Sequence, residues 1–115
     1  MIKNLTSKKK IASKKIMARS FMSRVRGLMF TLPKEDTGLV MVFEKEMIIS
    51  LHMFFVFYPI DILWLDSKKR VVEFRKFAFP FMPWIEPGKK AMYVVELPVY
   101  SIDGSKTKVG DKISF

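Results

Sequence analysis

Two carboxylates stand inside apolar stretches of this chain, Asp61 in PIDILWL and Glu96 in AMYVVELP. Alternation along a strand puts Asp61 on the side of Leu63 and Leu65, and Glu96 on the side of Met92 and Val94; the opposite sides are apolar too. Neither acid has much room for solvent. A buried, unpaired carboxylate is costly, so each needs a cation, a set of donors or a raised pKa. Arg24, Arg26 and His52 are the candidate partners. One reading is a cleft with Asp61 or Glu96 as general base and an arginine as anion clamp. The other is structural: an ion pair pinning an N-terminal helix to a sheet, or carboxylates bonded to loop amides.

His52 is the single histidine. Zinc normally takes three or four ligands, so this residue is expected to sit in the core with its ring nitrogens bonded. Ser50 or Ser101 with His52 and Asp61 would spell a hydrolytic triad, but no nucleophile-elbow sequence surrounds either serine. The glycines are single and in turns, which leaves no phosphate-cradling loop. The chain has no cysteine, which excludes disulfides, thiolate metal sites and cysteine nucleophiles. No cofactor and no metal are expected. The segment FPFMPWIEPG at 79–88 is stiff and aromatic. Trp84 and its neighbours could wall a pocket, form a partner-binding patch or cap the end of the fold.

The net charge is +10 over 115 residues. Residues 1–26 hold nine cations and no acid, while the rest of the chain sets 12 cations against all 11 acids. Lys8, Lys9, Lys10, Lys14, Lys15 and Arg19 could therefore meet an anionic partner such as RNA, DNA or acidic lipid, or they could simply keep a greasy protein soluble.

What positions these groups is a set of short strands. Residues 47–65 are long and apolar enough to suggest a membrane span, but Pro59, Asp61 and His52 oppose it. The branched and aromatic content favours two buried strands meeting at Tyr58 and Pro59. Residues 1–17 read as a basic arm or an edge strand, with lysines guarding the edge. Ser20 is a fitting N-cap for a short helix through about Met29 that places Phe21, Val25, Leu28 and Met29 on one face. Further strands are expected at 38–43, 60–66, 70–78, 91–97 and 113–115, with a solvated connection at 44–46 and a helical turn within 98–104. The expectation is one β domain over 18–115, mainly β, as a compact antiparallel barrel or jelly-roll-like sandwich with one or two short helices. The absence of a secretory apolar segment makes the cytoplasm the default.

The ordered motifs ARSFMSRVRGLMF, GLVMVF, SLHMFFVFYPIDILWLD, AMYVVELP and KVGD resemble the uncharacterised family known as domain of unknown function 192, over about residues 18–113. The resemblance implies a compact β domain of jelly-roll or barrel type and no established catalytic residues. Many relatives carry Trp-Met-Lys-Asn-Thr before Pro-Leu-Asp, where this chain has His52, Met53, Phe54, Phe55 and Val56. Relatives also often place an arginine where Thr31 stands. The expected function is a ligand- or partner-binding module with a cleft near Arg24, Arg26, His52, Asp61, Trp84 and Glu96. The alternatives are a nucleic-acid accessory protein using the basic N-terminal segment and a hydrolase-like enzyme using Asp61 and Glu96.

Overall fold

Runs of Val, Ile, Leu and aromatic residues, punctuated by Pro, Gly and Asx turns, form eight strands and two short helices among the described residues of the computed structural model. Residues 1–29 and 31–115 are described; Phe30 and the side chains of Phe21, Val25 and Arg26 lie outside that description, and with them part of the expected helix face. In chain order come β1 (Ile2–Asn4), β2 (Lys9–Ala12), β3 (Lys14–Ala18), α1 (Phe21–Arg26), β4 (Thr37–Met47), β5 (Ile60–Leu65), β6 (Val71–Ala78), β7 (Ala91–Pro98), α2 (Ser101–Ser105) and β8 (Ile113–Ser114).

The larger sheet has the order β3-β4-β7-β5-β6, and the smaller has β2-β1-β8. All pairings are antiparallel except β3 on β4. The architecture is thus the sandwich-like alternative of the mainly β expectation. The sheets do not close into a barrel: among the described residues no pairing joins the larger sheet's edges, β3 and β6. One reason is at Ser13, where the lysine-rich segment expected as one edge strand divides. Its first half joins the small sheet and its second half the large one, while Asp36 accepts the Ser13 N–H at 3.0 Å.

Two cores follow from the pleat of the central strands. Between the sheets lie Ile2, Ile11, Val40, Leu63, Leu65, Val95, Leu97 and Ile113. On the other face lie Leu39, Met41, Ile60, Ile62, Trp64 and Val94, covered by the segments around α1 and by residues 48–59 and 79–90. Gly38 permits this packing: a Cβ there would stand 2.4 Å from the Ile2 Cδ1 and 2.9 Å from the Leu97 Cδ2. A polar cross-tie fastens β1 to the chain's C-terminal turn. The buried Asn4 amide donates to Thr107 at 3.0 Å and to Asp111 at 2.9 Å, and its oxygen accepts the N–H groups of Thr6 and Ser7. Burial pushes the Asp111 carboxyl up, but the bonds from Asn4 and Lys108 outweigh this and hold it below its ordinary value.

Two expectations about the elements are corrected. The apolar run before Pro59 is not a strand; it makes only an isolated bridge at Leu51 with Ile85. Its buried residues, Ile49, Met53 and Val56, recur at spacings of four and three instead of two, so no pleated face forms. The second correction concerns residues 44–46, which continue β4 as far as Met47, paired with Ala91 beyond a register shift.

Candidate functional site

Glu96 sits in the middle of β7, the central strand of the larger sheet, with Leu39 and Ile62 as its cross-strand neighbours. It is only 7% exposed. No hydrogen bond or ion pair joins its carboxylate to another described side chain, and burial pushes its pKa from 4.5 to about 7. It forms part of the wall of a cavity of about 640 Å³, between the sheet and the chain that leaves α1. Ile16, Leu39 and Ile60 provide apolar wall, and Met22 and Leu32 stand largely exposed in the lining. Lys34 is the one cation in the lining among the described residues.

The cover over Glu96 depends on local backbone chemistry. Ser20 caps α1: its hydroxyl accepts the Ser23 N–H, and the Ser23 hydroxyl accepts the Ser20 N–H, so two orphan donors are satisfied reciprocally. The helix ends at Gly27, whose φ of 48° and ψ of −123° suit glycine. A Cβ there would also press on the Met41 Cε at 3.1 Å and come within 3.8 Å of the Glu96 Oε1. Thr31 donates to the Leu28 carbonyl at 2.6 Å, so the 2.8 Å contact between Thr31 and Tyr58 is a bond donated by the phenol. That leaves the phenolic oxygen as an acceptor. Burial pushes the Tyr58 pKa up, and the Glu96 charge adds to this against the Thr31 bond.

Of the six residues expected to share a cleft, the five whose side chains are described do not converge. Asp61 and Glu96 lie on opposite faces of the sheet, because Asp61 pairs with Leu97 and Ile62 with Glu96. Asp61, 1% exposed, accepts the Phe77 N–H at 3.0 Å and the Ile102 N–H at 2.9 Å. It needs no cation, since two backbone donors satisfy it. Arg24 turns away from both acids. It donates to the Val42 carbonyl at 2.9 Å and to Glu44 at 3.3 Å, and lies over the Phe43 ring. His52 is exposed, against the expectation of a core histidine, and its Nδ1 accepts the Phe54 N–H at 3.2 Å. The loss of the strand before Pro59 puts it outside. Trp84 is 66% exposed and does not line the cavity. The Arg26 side chain lies outside the described residues. Lys8, Lys9, Lys10, Lys14, Lys15 and Arg19 are all exposed.

Among the five of those six whose side chains are described, Glu96 alone is in the cavity wall. Gly27, Thr31 and Tyr58 were missed as site residues, although Gly27 and Tyr58 lie within the motifs RGLMF and FYPID. A glycine directly after a capped helix was the available signal.

Comparison with known proteins gives a consistent picture. The family model DUF192, described as Uncharacterized ACR, matches residues 3–115. A UPF0127 protein of Thermococcus sibiricus is 35% identical over 117 residues, covering 100% of this chain and 74% of the relative. Another, from Pyrococcus furiosus, is 32% identical over 114 residues, covering 97% and 95%. A solved structure from Sinorhizobium meliloti, described as a candidate transcription regulator, superposes with a TM-score of 0.82 at 22% identity, over 87% of this chain and 79% of that one. A protein of unknown function from Novosphingobium aromaticivorans gives 0.81 at 21%, over 88% and 74%. At such identities these two share the fold.

Proposed function

The chain belongs to DUF192, a family without an established biochemical role, and on that premise we propose that it is a small-molecule-binding module, acting in the cytoplasm, whose ligand occupies the Glu96 cavity. The supporting observation is a buried carboxylate without a described bonding partner, facing an apolar space of about 640 Å³. That size falls within the range of ligand pockets. Its buried acceptor is the Glu96 carboxylate, with the Tyr58 oxygen beside it, whereas Lys34 of the lining is exposed, so the ligand that fits has an apolar body and a donating head group, an amine for preference.

Thermal melts of the full chain test this. At about pH 8, octylamine is expected to raise the melting temperature and octanoate is not, and Glu96→Gln is expected to remove the amine's effect. An equal response to both compounds, or to neither, would sink the proposal.

A second reading rests on the exposure of Lys8, Lys9, Lys14 and Lys15 along the edge strands β2 and β3, which would suit nucleic-acid phosphates. A mechanism using both Asp61 and Glu96 has no supporting geometry, because the sheet separates them.

A further inference from the structure

The loops at one margin of the larger sheet carry an unusual surface. Phe54, Phe57, Phe79, Phe81, Trp84 and Tyr100 are all more than two-fifths exposed, and Phe55 and Phe77 project beside them. Six of the rings touch in two sets of three: Phe57 and Phe55 meet Phe81 at 5.0 and 6.3 Å, and Phe79 and Tyr100 meet Phe77 at 5.4 and 6.0 Å. Backbone bonds hold the two main loops together, Met53 N–H to the Met82 carbonyl at 2.7 Å and Phe81 N–H to the Met53 carbonyl at 2.8 Å. Leu51 and Ile85 exchange two more.

The backbone under these rings is strained. Eight described non-glycine residues have a positive φ, and four of them are Phe55, Phe77, Phe81 and Tyr100. Bulky side chains rarely occupy that region, where Gly or Asn would be relaxed. The fold keeps this strain and turns the rings outward where burial would have been favourable. Strain held in this way points to use.

The local charge identifies the occupant. Residues 47–60 and 74–85 contain no acid, while Arg75 and Lys76 stand exposed beside Phe77, and Lys89 and Lys90 follow Trp84. Of the described acids beside these segments, Asp103 is paired with Lys76 at 2.6 Å, and Glu86, two residues after Trp84, accepts a bond from the Ser50 hydroxyl at 3.2 Å. Apolar Phe rings with the amphipathic rings of Trp84 and Tyr100, flanked by cations on a chain of net charge +10, suit the headgroup layer of an anionic bilayer. We propose that the surface formed by Phe54, Phe57, Phe79, Phe81, Trp84 and Tyr100 docks the protein peripherally on anionic lipid membranes. The contact is independent of the Glu96 cavity, whose lining includes none of these rings.

The test uses the full chain with vesicles of phosphatidylcholine, alone or mixed with phosphatidylglycerol. Trp64 is 1% exposed, so a lipid-dependent change in tryptophan emission reports Trp84. Flotation with the mixed vesicles, a blue-shifted emission and quenching by acyl-brominated lipid are the expected results. Phe57→Ser with Phe79→Ser should weaken partitioning about tenfold or more, with the far-ultraviolet dichroism unchanged. Quenching of the unaltered protein needs no variant, and its absence would overturn the proposal. Undiminished partitioning of a folded double variant would overturn it as well, by showing that lysines alone suffice. So would a lipid-free dimer whose formation shifts Trp84, since a second copy would then cover the surface.

Discussion

Glu96 and Asp61 show how one chemical group, a carboxylate, is treated in opposite ways by its surroundings. Asp61 finds two backbone donors within 3.0 Å, whereas Glu96 faces apolar side chains and its pKa rises to about 7. The sign of the resulting pH dependence follows. Below the unfolded pKa of 4.5 the group is protonated in both states and burial costs little. As pH rises toward 7 the unfolded chain gives up its proton first, and stability falls. Glu96→Gln removes that loss. The variant should be more stable than the parent at about pH 8, by up to about 3 kcal/mol, and nearly equal to it at about pH 4. Melts at the two pH values would show it; parallel curves would mean the carboxylate is solvated.

At the scale of elements, the work of Asp61 is to join pieces. Its two acceptor oxygens tie the end of β6 at Phe77 to the first turn of α2 at Ile102, although neither segment pairs with the other in a sheet. Asp61→Ala would leave both N–H groups buried without partners, a loss of about 2–4 kcal/mol in total. A denaturant titration that moved by less than about 1 kcal/mol would show that water replaces the carboxylate. The Asn4 cross-tie does similar work between β1 and the turn holding Asp111. Both ties lie far apart in sequence, which is why the motifs PID and VGD gave no hint of their partners.

For the whole molecule, electrostatics and shape act at different ranges. A net charge of +10 favours encounter with anionic surfaces in general, and under the two proposals above the exposed rings and the Glu96 cavity would then distinguish one partner from another. If about six of the N-terminal cations met nucleic-acid phosphates, the logarithm of affinity would fall against that of salt with a slope of roughly −4 to −5. Fluorescence titration of single-stranded DNA at several salt concentrations would measure it, and a flat response would remove that reading.

The mainly β class, the short helix capped by Ser20, the strands at 60–65, 71–78 and 91–98 and the burial of Asp61 and Glu96 were legible in the sequence. Each depends on local signals: alternation, branched side chains, a capping hydroxyl, and acids set among apolar neighbours. Only the tertiary structure decided that the two acids point to opposite sides, since that depends on the register of β5 against β7. It also decided that Phe54, Phe55 and Phe57, in the run before Pro59, stay outside as part of an aromatic surface while Ile49, Met53 and Val56 turn in. Hydrophobic content fixes how much surface must be buried, but which rings are left exposed depends on where the sheet runs out of face to cover them.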